Sequence, residues 1–220
     1  MSKSQRELKA VRQAQRDEAL GRQRARDRRN LLLIVGVLAA AGLLILVVAV
    51  YLNNASQKTG QLAWQAQTGT AGEQVPDEGT ATHIPATEVW QYKNYPPTSG
   101  PHYGVPDGPA PWQTVGNLRE GTFIHNLEHG GIVILYNCPS GQECDKLRND
   151  LTNYVENRAP AEPNRKSVRL VMSPYSRDMK KKVALLAWNW IEFLDAYDEK
   201  EITRFYEIHA NQGPEKNVAS

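Results

Sequence analysis

Two imidazoles and a carboxylate fall within five residues, His125-Asn126-Leu127-Glu128-His129, followed at once by Gly130-Gly131. Apolar runs, Phe123-Ile124 and Ile132-Val133-Ile134-Leu135, bracket the group. Polar side chains set so close to a hydrophobic interior cost free energy unless something satisfies them. Imidazole and carboxylate are the donor types that hold late first-row metals. Spacing limits how they could do so. On a straight strand His125 and His129 would stand about 13 Å apart at about 3.3 Å per residue, beyond the reach of one ion. In a helical turn, or across a bend, they come close enough to share it. Gly130-Gly131 supplies backbone freedom for a bend, so the region is read as strand, turn and strand over 121–136.

A third imidazole, His102, sits in Tyr95-Pro96-Pro97-Thr98-Ser99-Gly100-Pro101-His102-Tyr103, part of a proline-rich stretch running to Trp112. Six prolines between 96 and 111 exclude a helix or a central strand and predict a long stiff loop. His102, His125 and His129 are therefore the expected metal ligands, with Glu128 as a further ligand or an orienting partner. Copper ranks ahead of zinc, because the site falls on the exported side of a membrane and Met172 could add sulphur. His209 is a further candidate, although it and Met172 both share a stripe with core residues, where filling space is the ordinary role.

Two other readings compete. His-x-x-Glu-His is the inverted zinc-peptidase pattern, in which Glu128 would activate water. That chemistry wants a sustained helix, and the Gly pair with a β-branched run behind it is poor helix material, so hydrolysis ranks last. Alternatively the histidines make structural hydrogen bonds in an accessory or scaffolding module of an envelope complex.

The elements that must carry this group are legible in outline. Residues 1–30 hold ten Lys or Arg against four acids, an excess of six in a chain whose net charge is +2, so the remainder is mildly acidic and a nucleic-acid partner is not expected. Leu31 to Leu52 is apolar and uncharged throughout, the length of a transmembrane helix. Its basic flank places the amino terminus in the cytoplasm and the rest outside, in the cytoplasmic membrane's extracytoplasmic space. Residues 5–29 suit a charged helix, and 53–82 read as a flexible linker, with Trp64 at the membrane interface.

From His83 the chain reads as one α+β domain to 216, followed by a short tail over 217–220: a small sheet packed by two or three helices. Cys138 and Cys144 pair most simply as a disulfide outside the cytoplasm. Periodicity predicts helices over 143–158 and 178–194, a half-buried strand over 167–173, and a last helix to about Ala210 opened by Asp198 and Glu201 as a capping box.

Several of these segments resemble one family. Tyr95 to Tyr103, His125 to Gly131 running into Tyr136, the helix containing Ala187-Trp188, and His209 with Gly213-Pro214-Glu215 are similar to the membrane-anchored bacterial domain of unknown function 3105 (DUF3105), over roughly residues 83–216. The resemblance implies an exported domain behind one anchor and brings no activity with it.

Overall fold

Ile132-Val133-Ile134-Leu135 and Val183-Ala184-Leu185-Leu186-Ala187 are apolar at successive positions, and successive strand residues point to opposite faces. A strand with that composition has to be covered on both sides. In the computed structural model it is. The structure describes residues 22, 28, 31–33, 35–39, 41–48, 60–163, 165, 167–177 and 179–216.

Residues 1–58 and 59–220 are separate units. In the first, helix α1 (Leu31–Val48) has mean hydropathy 3.2 and is long and apolar enough to cross a membrane. The predicted charged helix over 5–29 lies outside the described residues apart from Arg22 and Arg28, as do 49–59 and the tail.

The second unit is α+β. Strands β1 (Glu73–Gln74), β2 (His83–Ile84), β3 (His102–Tyr103), β4 (Ile132–Tyr136), β5 (Leu170–Pro174), β6 (Val183–Ala187) and β7 (Trp190–Leu194) accompany helices α2 (Glu120–Glu128), α3 (Gln142–Asn153) and α4 (Glu199–His209). Five strands form a mixed sheet in the order β1-β7-β6-β4-β5, and β2 pairs with β3 in a second, parallel ladder. Only β4 and β5 run parallel in the main sheet, so α3 and its π-helical extension Tyr154–Arg158 make the crossover between them.

Strand alternation sorts the core into two layers. Ile132, Ile134, Leu170, Met172, Val183 and Leu185 face Leu151, Tyr154, Phe205 and Tyr206 of the α3 and α4 layer. Val133, Leu135, Val171, Ala184 and Leu186 face Phe123, Ile124 and Leu127 of α2. Helix α4 starts as expected, with the Asp198 carboxylate accepting from the backbone N–H of Lys200 and Glu201. Cys138 and Cys144 form a disulfide.

Three expectations are corrected. The predicted helix over 178–194 is the β6–β7 hairpin. A strand apolar on both faces contains every spacing, three and four included, and Asn189 marks the turn with φ 62. The 167–173 strand is buried on both faces, not half-buried: Arg169 is inside, its guanidinium paired with the Glu162 carboxylate at 2.6 and 2.7 Å. From Gly60 onward the expected linker packs on the domain. Leu62 donates its N–H to the Arg158 carbonyl, Gln65 to Glu207, β1 joins the sheet edge, and Trp64 lies edge-on to Tyr206.

Because both faces of β4 are covered, Ile134→Ala and Leu135→Ala should each destabilise the domain by about 2–5 kcal/mol despite pointing opposite ways. Urea unfolding checks this; a negligible loss at either position would mean that one face is open.

Candidate metal centre

Short-range order builds the site first. The segment read as strand, turn and strand begins as helix α2, whose end explains the glycine pair. Gly130 has φ +73, its N–H bonds to the Leu127 carbonyl and the Gly131 N–H to that of Asn126. This is the Schellman arrangement that stops a helix at a left-handed glycine. His125, Glu128 and His129 therefore lie three and four apart on one helical face, while Phe123, Ile124 and Leu127 anchor the other to the sheet. The helix that was judged unfavourable for His-x-x-Glu-His does form.

Neighbouring loops clamp this helix. The Asn126 side chain accepts from the Ala110 N–H and donates to the Ala110 carbonyl, tying the proline-rich loop to α2. That loop is itself held by Glu78, which accepts from the backbone N–H groups of Lys93 and Asn94, and by the Tyr92 hydroxyl donating to the Pro101 carbonyl at 2.6 Å. Parallel register sets His102 beside His83. His102 is thus fully buried.

The donors converge on Glu128. Its Oε2 lies 2.9 Å from His102 Nε2, 3.6 Å from His83 Nε2 and 3.8 Å from His125 Nε2. Donor atoms of His83, His102, His125 and Glu128 all fall within 4.8 Å of one another. In a tetrahedral site with bonds of about 2.0–2.1 Å the donors are separated by about 3.3 Å, inside the span of these three distances.

Tautomers follow from the outer contacts. His102 Nδ1 meets the Gly100 carbonyl at 2.9 Å and His125 Nδ1 meets the Tyr103 carbonyl at 2.6 Å. A carbonyl only accepts, so each Nδ1 carries a proton and each ring turns its Nε2 toward Glu128. Burial pushes His125 down to about 4, with the Tyr103 carbonyl opposing and His102 and His129 assisting, so the ring is neutral near pH 7. Burial would raise Glu128, but the His102 hydrogen bond and the surrounding imidazoles outweigh it and hold the carboxyl below its ordinary value. Three imidazole nitrogens turned toward one carboxylate have the donor types of a candidate cation site.

Among the expected ligands, the structure brings His102 and His125 together with Glu128. His129 stands at the edge, 3.1 Å from His125 Nε2 and 3.3 Å from Glu215. Met172 and His209 are elsewhere. Met172 is buried in the layer formed with α3, and His209 bonds the Ala71 carbonyl at 2.8 Å and packs on Phe205 and Trp190. His83 was missed. It opens the segment that resembles the family, but nothing local in its sequence marks it as a ligand.

The family model described as a protein of unknown function, DUF3105, matches residues 83–220, so the chain belongs to that family. No curated protein and no solved structure matches it.

The burial of histidines predicts a pH response in metal-free protein. His125, His129 and His209 all lie below their ordinary value, chiefly through burial. Above about pH 6.5 they are neutral in both states; as pH falls below it the unfolded chain takes up protons first, so stability declines. Urea midpoints should fall steadily from pH 7 to 5, and a midpoint that rises over that range would contradict the assigned burial.

Proposed function

We propose that this chain is a single-pass membrane-anchored protein whose extracytoplasmic domain binds a late first-row divalent ion through His83, His102, His125 and Glu128. The observation that carries the reading is the convergence of four donor atoms within 4.8 Å of one another, with His102 Nε2 2.9 Å from the Glu128 carboxylate and Nδ1 already committed to Gly100. Two acceptors at that separation repel unless a proton or a metal lies between them, and two further imidazoles turn toward the same oxygen.

Three nitrogens and one oxygen suit copper(II) or zinc. Sulphur no longer argues for copper(I), because Met172 lies within the apolar core. A domain tethered by α1 with ten basic residues before the span fits an envelope role in metal binding or handling, the basic side staying in the cytoplasm.

Hydrolysis stays as a second reading because His125 and His129 do occupy one helical turn, Nε2 to Nε2 3.1 Å. Glu128→Gln separates the two. A hydrolase would keep its ion and lose turnover; a site in which Glu128 is a ligand loses the ion.

Full-length protein in detergent, purified without a histidine tag, should carry stoichiometric zinc or copper by elemental analysis. His102→Ala and His125→Ala should each lower affinity by more than about 10-fold, whereas Met172→Leu should leave it unchanged. Native protein that stays metal-free after exposure to both ions would leave only the structural-module reading.

A further inference from the structure

Beyond the four donors of that centre, Glu128, His129 and Glu215 form a second set, again with donor atoms within 4.8 Å of one another. Glu128 belongs to both sets. We infer that the centre holds two divalent ions, the second on His129 and Glu215, with Glu128 as the bridging carboxylate; this rests on the reading of the first site given above.

The second set is built into the fold at each member. His129 caps α2, and its carbonyl accepts at 2.7 Å from the guanidinium of Arg169, which the Glu162 carboxylate fixes inside the domain. Glu215 arrives on the segment that leaves α4. The Asn211 N–H bonds the Gly130 carbonyl and the Glu215 N–H bonds the Glu128 carbonyl at 3.0 Å. Gly213 packs so tightly there that a Cβ would stand 2.2 Å from the Glu128 oxygen and 2.5 Å from the Gly130 nitrogen. Glu215 is therefore held over the end of α2 by backbone hydrogen bonds, unlike an incidental surface acid.

Geometry distinguishes the two positions. His129 Nε2 and Glu215 Oε2 are 3.3 Å apart, the donor spacing of about 3.3 Å that one ion with bonds of about 2.0–2.1 Å requires. His129 Nε2 also lies 3.1 Å from His125 Nε2, so the second position directly adjoins the first. The His102 side chain is fully buried, whereas His129 is 15% and Glu215 50% exposed. The first position is buried on the His102, His125 and Glu128 side and open only at His83, which is 54% exposed, and the second is open through Glu215. Carboxylate-bridged ions of this kind lie about 3.5–4 Å apart and can act on one oxygen ligand together.

Zinc titration of the tag-free full-length protein in detergent, followed by dialysis and elemental analysis, tests this. Native protein should retain about two zinc per chain, and Glu215→Gln and His129→Ala about one. Glu215 is half-exposed, so Glu215→Gln should not compromise folding. Cobalt(II) gives an independent readout: a full paramagnetic signal at one equivalent, attenuated by coupling at two. Native protein that retains one zinc, unchanged in Glu215→Gln, overturns the second ion and leaves the first site standing. Native protein that retains none removes both.

Discussion

Two backbone carbonyls decide the chemistry of this domain. By accepting from Nδ1 of His102 and His125, Gly100 and Tyr103 oblige both rings to present Nε2 to a single carboxylate oxygen. Neither carbonyl is free to move. Gly100 has φ +103 and a Cβ there would stand 2.9 Å from Glu78, while the Tyr103 ring lies so close to Gly121 of α2 that a Cβ at 121 would stand 2.8 Å from it. Selection of the imidazole nitrogen is thus a property of the loop's packing and precedes any ligand. Preorganisation of this sort lets an ion bind without first paying to order its donors.

The rest of the fold keeps that loop and α2 in register. A sheet covered on both faces gives α2 a rigid floor through Phe123, Ile124 and Leu127, and the α3 and α4 layer lies on the opposite side. Arg169 links this floor to the site. It issues from beside β5, pairs with Glu162 in the interior, donates its own backbone N–H to the Tyr206 hydroxyl, and reaches the His129 carbonyl. Removing one member of such a buried pair costs about 3–5 kcal/mol, so Glu162 supports the candidate site without touching it.

Legibility in the sequence followed the range of the interactions. The apolar span, the disulfide, α3, the cap of α4 and the grouping of His102 with His125 and Glu128 could all be inferred, since each rests on local pattern or residue chemistry. The β6–β7 hairpin read as a helix because Val183 to Leu194 is apolar toward both layers, and periodicity carries no information in such a run. The helical state of His125 to Glu128 was hidden by the β-branched strand behind it, although Gly130 was a helix-stop signal in plain view. The burial of Arg169 with Glu162 has no local signature and is visible only once the chain brings 162 against 169. His83 enters through a two-residue parallel pairing with His102, a contact with no local signature. Glu215 enters by the return of the chain after α4, which is equally non-local.

X-ray absorption at the metal edge of the zinc-loaded full-length protein tests the central claim most directly, that converging imidazole nitrogens and the Glu128 carboxylate form a cation site. Nitrogen and oxygen neighbours at about 2.0–2.2 Å, with the outer-shell scattering of several imidazole rings and no sulphur, are the predicted result. A sulphur neighbour at about 2.3 Å, or a shell of oxygens without imidazole scattering, would contradict it.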